Sequence, residues 1–156
     1  MSVPNPLDAT DRALLGALQQ TGRITNSALA EAVHLSPSAC LRRVRRLEEA
    51  GVIAGYVALL ERGAVGFGTT VFVEISLTGQ QEELLDAFEA AVAAVPEVVS
   101  CHLMAGNADY LLKVVVADVA DYERIHRNYV ARLPGVAQVR SSFALRAVKD
   151  TTAIEL

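Results

Sequence analysis

Along the first fifty positions, apolar residues recur at the three-to-four-residue spacing of helices. Leu14, Leu15 and Leu18 make one stripe, with Asp8 and Thr10 as candidate N-caps before it and Gly22 after it. A second helix is predicted from about Thr25, with Leu29, Ala30 and Val33 inward. His34-Leu35-Ser36 then reads as a short turn. Ser36 can cap a third helix, Pro37 sits at the first helical position, where its missing N–H costs nothing, and Gly51 stops it. Helix, short turn and helix is the layout of a helix-turn-helix.

From Val52 to Val57 the run is strand-like, and Gly63, Gly66 and Gly68 then loosen the chain. This places a helical domain at residues 1–54, a linker strand at 55–68 and a second domain at 69–156. The second domain opens with a strand, Thr69 to Thr78. A helix follows with the stripe Leu84, Leu85, Phe88, Val92 and Val95, stopped by Pro96. Two strands come next, Glu97–Ala105 and Asp109–Ala117, joined by a tight turn at Gly106-Asn107-Ala108. A helix with Tyr122, Ile125, Tyr129 and Leu133 inward, the turn Pro134-Gly135 and a strand from Val136 to about Val148 complete the order βαββαβ, the ferredoxin-like arrangement. The fold class is therefore α+β.

An antiparallel sheet with one wet face should alternate apolar and polar residues, yet Val98-Val99 and Leu111-Leu112-Lys113-Val114-Val115-Val116 are apolar on both sides. Helices cover only one face, so a second copy is expected on the other, giving at least a homodimer.

Charge changes the picture for the helical piece. The net charge is −4, but residues 1–62 carry seven Arg against six acids, while the remainder carries seven Lys or Arg against twelve acids. Arg42, Arg43, Arg45 and Arg46 crowd into the third helix. At roughly 100° per residue, Cys40, Val44 and Leu47 define a narrow buried stripe, and Ser38, Arg42, Arg45 and Arg46 share the opposite face. Arg43 falls at the stripe's edge, where a tie to Glu31 or the chain nearby competes with any ligand role. A capped helix offering Ser36, Ser38, Arg42, Arg45 and Arg46 outward has the shape to enter the major groove of double-stranded DNA, with Arg reaching phosphates or guanine edges. A merely solvated charged face is the competing reading.

Composition narrows the alternatives. With 52% hydrophobic residues and no apolar run near the roughly 20 residues that cross a bilayer, a cytoplasmic protein without a membrane partner is expected. Nothing near Met1 has the layout of a signal peptide. Cys40 and Cys101 are far apart in apolar contexts, and His34, His102 and His126 stand alone, so neither a disulfide framework, a metal site nor a cofactor is expected. No nucleophile elbow, phosphate loop or dinucleotide fingerprint occurs, so no enzymatic activity is expected.

Taken together, Leu7-Asp8 with Asp11, Gly22-Arg23-Ile24, Leu29-Ala30, Leu35-Ser36-Pro37-Ser38, Arg43-Val44 with Leu47-Glu48, Gly51-Val52-Ile53 with Gly55-Tyr56, Pro96-Glu97-Val98, Gly106 with Asp109-Tyr110, and Leu133-Pro134-Gly135-Val136 resemble the Lrp/AsnC (leucine-responsive/asparagine-responsive, feast/famine) family of transcriptional regulators over nearly the whole chain. The run Ser141-Ser142-Phe143-Ala144-Leu145 is most similar to the branch that regulates breakdown of branched-chain keto acids or cysteine. His34 stands where Gly is frequent in the family's turn.

The resemblance implies a DNA-binding domain of winged-helix type and a ferredoxin-like domain that dimerises, assembles to octamers or larger, and binds a small effector, often an amino acid, between dimers. Carried onto this chain, the effector residues are Met104, Gly106, Asp109, Tyr110, Ser141 and Ser142. Asp109 would hold the ammonium, the backbone near Gly106 and the two serines the carboxylate, and Met104 an apolar wall. A plain hairpin turn is the competing account of Gly106 to Asp109. Two other functions stand beside this one: a tetrapyrrole-binding decarboxylase, as in a few relatives of the family, and an effector-sensing module that never touches DNA.

Overall fold

The computed structural model describes residues 7–156, so the signal-peptide expectation near Met1 lies outside the described residues. The chain divides into two compact units, one of residues up to Leu59 together with Lys149–Leu156, the other Leu60–Val148.

The first unit is built from α1 (Ala9–Gln20), α2 (Asn26–Ala32) and α3 (Pro37–Glu49). Asp8, not Thr10, starts α1, accepting from the Asp11 N–H at 2.7 Å while the Asp11 carboxylate accepts from the Asp8 N–H, a reciprocal capping box. Thr25 caps α2, and Ser36 caps α3 with Pro37 in its first turn. Leu14, Leu15, Leu29, Ala30, Cys40 and Leu47 meet in the core, each leucine worth about 1.5–3 kcal/mol of burial.

Two helices close by the same hydrogen-bond pattern. After α3, the Val52 N–H donates to the Leu47 carbonyl and Gly51 to Glu48, with Gly51 left-handed at φ 70°. After α2, Leu35 donates to Ala30 and His34 to Glu31, with His34 left-handed at φ 55°. A β-carbon is crowded in that region, so His34→Gly should raise the stability of this unit by about 0.5–1 kcal/mol and its melting midpoint by a few degrees. A lowered midpoint would contradict the strain.

No strand forms between Val52 and Gly68, where one was expected. A strand needs a ladder partner, and Val57, Leu59 and Leu60 stay well exposed, with none among the described residues. The first unit likewise has no strand pair among its described residues. Lys149–Leu156, expected with the second domain, joins the first unit, where the Gln19 side-chain amide exchanges two hydrogen bonds with the Ile154 backbone, at 2.9 and 2.7 Å.

The second unit is ferredoxin-like: β1 (Thr69–Leu77), α4 (Glu82–Ala93), β2 (Val98–Leu103), β3 (Tyr110–Val116), α5 (Val119–Asn128) and β4 (Val136–Phe143), with an antiparallel sheet in the order β2-β3-β1-β4. Val71, Val73 and Ile75 of β1 and Tyr110, Leu112, Val114 and Val116 of β3 face Phe88, Val92, Tyr122 and Ile125 of the two helices. The Phe88 and Tyr110 rings lie 4.4 Å apart by centroid.

Two expectations fail here for local reasons. Tyr129 is exposed, not inward, because α5 ends at Asn128 and the chain tightens into a 3-10 turn that turns Val130 into the core instead. β4 stops at Phe143 instead of reaching Val148, because its partner β1 runs out: Phe143 lies opposite Val71, and the Ala144 N–H donates to Thr70. Pro134-Gly135 makes a turn that requires glycine, since Gly135 has φ 69° and a β-carbon there would come within 2.4 Å of the Leu84 side chain.

Candidate functional site

Two features of the structure can carry function: the outward face of α3 in the first unit, and a cleft on the open face of the sheet in the second.

The α3 face is held from behind. The Asn26 side-chain amide, at the start of α2, donates to the Pro37 carbonyl at 2.9 Å, tying together the N-terminal ends of the two helices of the motif. On the far side, Asp11 is buried, and its carboxylate accepts from Arg43 at 2.8 Å and from Arg46 at 2.6 Å, while Arg43 also reaches Asp8 at 2.7 Å. The Asp11 N–H and the Arg43 guanidinium hold the Asp8 carboxyl below the usual carboxylate range.

Arg46 was expected to be free on the outer face; instead it is tied to α1. Its position on the helix puts it next to Arg43 at the edge of the buried stripe. Arg43 in turn pairs with Asp8 and Asp11 and not with Glu31. Arg42 and Arg45 are exposed and pair with no carboxylate among the described residues. Ser38 is exposed beside them, while Ser36 spends its hydroxyl on the Ala39 N–H and lies 3.3 Å from the Ser38 hydroxyl. Leu41, which sequence reasoning left out, is also exposed, next to Arg45 around the helix on the side away from Ser38. The exposed, forward-facing set is Ser38, Leu41, Arg42 and Arg45. Such a set combines guanidinium donors for phosphate or guanine with an apolar side chain that suits a thymine methyl group.

The cleft has a volume of about 380 Å³ and lies between the β2–β3 turn and the open face of β1 and β4. That falls within the roughly 300–1,000 Å³ of small-molecule sites. Met104, Gly106 and Ala108 line one side, Leu111 part of the floor, and Glu74, Ser76, Gln138 and Arg140 the strands opposite. Glu74 and Arg140 are direct cross-strand partners, 3.5 Å apart and both substantially exposed. Gly106 is neither left-handed nor crowded, since a β-carbon there would meet nothing of the chain within 4 Å. Its lack of a side chain therefore leaves room in the cleft and serves no packing need.

Four of the residues expected at this site are not brought to it. Asp109 turns its carboxylate to the Leu77 N–H at 2.7 Å and to the Gln80 side-chain amide at 2.7 Å. These donors hold its carboxyl below the usual range. Tyr110 is buried under the helices, its hydroxyl donating to Glu89 at 2.7 Å, and burial with that carboxylate pushes the phenol up. Ser141 lies opposite Val73 on the helix-covered face, 2.5 Å from the Tyr122 hydroxyl. Ser142 is on the open face but opposite Phe72, away from the cleft end of the strand. Strand alternation explains Tyr110 and Ser141, because neighbours in sequence point to opposite faces; Ser142 shares the open face but lies too far along β4, and Asp109, before the start of β3, is drawn aside by its two donors. The missed residues, Glu74, Ser76, Leu111, Gln138 and Arg140, become visible only once the register of β1 with β3 and β4 is known.

Among the described residues no group of three His, Cys, Asp or Glu side chains could hold a metal ion, and no helix is long and apolar enough to cross a membrane. A helix-turn-helix with free arginines, joined to a ferredoxin-like unit carrying a small-molecule cleft, is the architecture of a ligand-responsive DNA-binding regulator.

Comparison with known proteins supports this class. Residues 7–54 match the family of winged helix-turn-helix DNA-binding domains, and residues 70–154 match the Lrp/AsnC ligand binding domain. The chain is 43% identical over 150 residues to the leucine-responsive regulatory protein of Haemophilus influenzae, covering 96% of this chain and 90% of that protein. It is 41% identical to the DNA-binding transcriptional activator DecR of Escherichia coli K12, covering 96% and 99%. Among solved structures, a transcriptional regulator of Neisseria meningitidis in complex with L-Met superposes with a TM-score of 0.91 at 38% identity, covering 96% of each chain. The chain belongs to the Lrp/AsnC family and is a DNA-binding transcriptional regulator.

Proposed function

We propose that a free amino acid is the effector of this regulator, that it binds in the cleft of the second unit, and that its binding alters DNA occupancy by α3. The observation that carries this reading is the Glu74–Arg140 pair. An α-amino acid presents an ammonium and a carboxylate on one carbon, and two opposite charges held side by side on adjacent strands can meet both. An exposed ion pair is worth about 0–1 kcal/mol, so little is lost when Glu74 turns to the ammonium and Arg140 to the carboxylate. Met104 and Leu111 supply the wall for an apolar side chain, and Gly106 the room beside it. The L-Met bound by the Neisseria meningitidis relative, and the leucine response in the name of the Haemophilus influenzae one, make methionine and leucine the first ligands to test.

The open sheet face supports a homodimer. Phe72 is 39% exposed, and Leu111 and Val115 are only partly covered, on the face opposite the unit's own two helices. A second copy on this face removes them from water, and dimers then assemble to an octamer or larger, with the cleft near the contact between dimers. Such a protein acts in the cytoplasm and has no catalytic role.

Calorimetric titration tests the assignment. Each charge-assisted bond is worth about 1.5–3 kcal/mol, so Glu74→Gln and Arg140→Gln should each weaken L-methionine or L-leucine binding by about tenfold to a hundredfold. The keto acid of the same side chain, which lacks the ammonium, should bind the wild-type protein correspondingly weakly. Unchanged affinity in both variants would contradict the pairing.

A further inference from the structure

The residue that marks this site by sequence, Asp109, does not face the cleft, and every polar group it has is already committed. Its backbone N–H donates to the Ile75 carbonyl at 2.8 Å, and its carbonyl accepts from the Met104 N–H at 2.8 Å, closing the loop from Ala105 to Ala108. One carboxylate oxygen accepts from the Leu77 N–H and the other from the Gln80 side chain. The Leu77 bond is a substitution within the ladder. β3 ends opposite Ile75, so no strand carbonyl remains to take the Leu77 N–H, and the Asp109 side chain supplies that acceptor. A buried backbone N–H left without a partner costs as much as a lost hydrogen bond, which makes this carboxylate a structural tie between the end of β1 and the β2–β3 turn.

We propose that Asp109 is a positioning residue for the effector site: it sets the height of Met104, Gly106 and Ala108 over Glu74 and Arg140 and makes no contact with the ligand. This rests on reading the cleft as the effector site. The cleft's lining does not include Asp109, so to meet an ammonium there its carboxylate would have to swing away from the Leu77 N–H and strand that donor. Gln80, which no sequence reading singled out, is the second member of the tie.

Asparagine separates the two roles. Its carbonyl oxygen can still accept from Leu77, and its NH₂ can donate to Gln80 once the glutamine amide turns over, so the tie survives without the charge. Full-length wild type, Asp109→Asn, Asp109→Ala and Gln80→Ala are compared by two readouts: calorimetric titration with L-methionine and L-leucine, and hydrogen exchange of the Leu77 amide and of residues 104–109. The expected result is affinity within about threefold of wild type for Asp109→Asn and a loss of about thirtyfold or more for Asp109→Ala, with a smaller loss for Gln80→Ala. The Leu77 amide should exchange faster in Asp109→Ala and stay protected in Asp109→Asn.

If Asp109→Asn loses as much affinity as Asp109→Ala while Leu77 stays protected, the carboxylate holds the ammonium and the proposal is overturned. If wild type binds neither amino acid, the reading of the cleft fails separately, and the exchange data still decide the tie: protection of Leu77 unchanged in Asp109→Ala overturns it. Should Asp109→Ala fail to fold, Gln80→Ala against Asp109→Asn gives the same contrast, because loss of affinity only in the uncharged but fully bonded Asn variant would identify a direct contact.

Discussion

Replacing Arg42 and Arg45 together by alanine should lower affinity for DNA from the protein's own upstream region by about a hundredfold or more near 0.1 M salt, with the fold intact. Both side chains are exposed, and neither holds a carboxylate among the described residues, so their removal takes nothing from the packing. If each meets a phosphate, each should remove roughly 0.9 from the slope of log affinity against log salt. A dimer presenting two recognition helices therefore loses about 3 to 4 units in the double variant. A guanidinium on a guanine edge would show instead as about 1–3 kcal/mol of lost discrimination with less change in slope. Fluorescence anisotropy at several salt concentrations reads both. Wild-type affinity and slope in the double variant would mean that this face of α3 does not meet DNA.

The second large effect is expected at Asp11. Its buried carboxylate joins α1 to two arginines of α3, and Asp11→Ala leaves Arg46 without its partner and Arg43 with only Asp8. Breaking a buried pair costs about 3–5 kcal/mol, but both arginines reach solvent, so about 2–3 kcal/mol is expected after screening. For a three-helix unit this is a large share of the total. DNA binding should fail with it, while amino-acid binding by the second unit persists. Arg46→Ala should behave as a milder version of the same defect. Circular dichroism and thermal melting check this, and a melting midpoint within a degree of wild type would contradict the clamp.

Acid should loosen the same joint. The Asp8 carboxyl lies below its ordinary value because its charged form is hydrogen-bonded in the folded state. Its contribution is therefore full above the ordinary carboxylate pKa and disappears as pH falls through the lowered value. The first unit should lose stability below about pH 4.

The order of elements was legible because each left a local signature. Ser36-Pro37 and Gly51 delimit α3 through cap chemistry that acts within a few residues, and the stripe Leu84, Leu85, Phe88 and Val92 defines α4 by spacing alone. Features that depend on where another element lies were not legible. Arg46 looked outward on a helical wheel, and only the approach of α1 made it a partner of Asp11. Asp8 with Asp11 and Arg43 with Arg46 are both spaced by three, a pair of patterns that could have suggested the clamp.

The candidate effector site shows the same limit more sharply. Ser141 and Ser142 are adjacent in sequence but lie on opposite faces of β4, and Arg140 reaches the cleft because of a register set partly by an irregularity between Ser76 and Leu77. A shift of one residue would exchange these roles. Met104 and Gly106 were legible because they belong to the turn itself, whose position does not depend on register.

The most direct test of an amino-acid-controlled DNA-binding protein is the coupling between its two ligands. Anisotropy of labelled upstream DNA is titrated with the full chain, with and without saturating L-methionine or L-leucine, and the amino acid is titrated by calorimetry with and without that DNA. Linkage requires both titrations to shift by the same factor, about 5- to 150-fold for typical allosteric coupling, with Glu74→Gln raising the amino-acid concentration that produces the effect by about tenfold to a hundredfold and leaving basal DNA binding unchanged. A DNA affinity that none of the twenty amino acids alters would contradict the account.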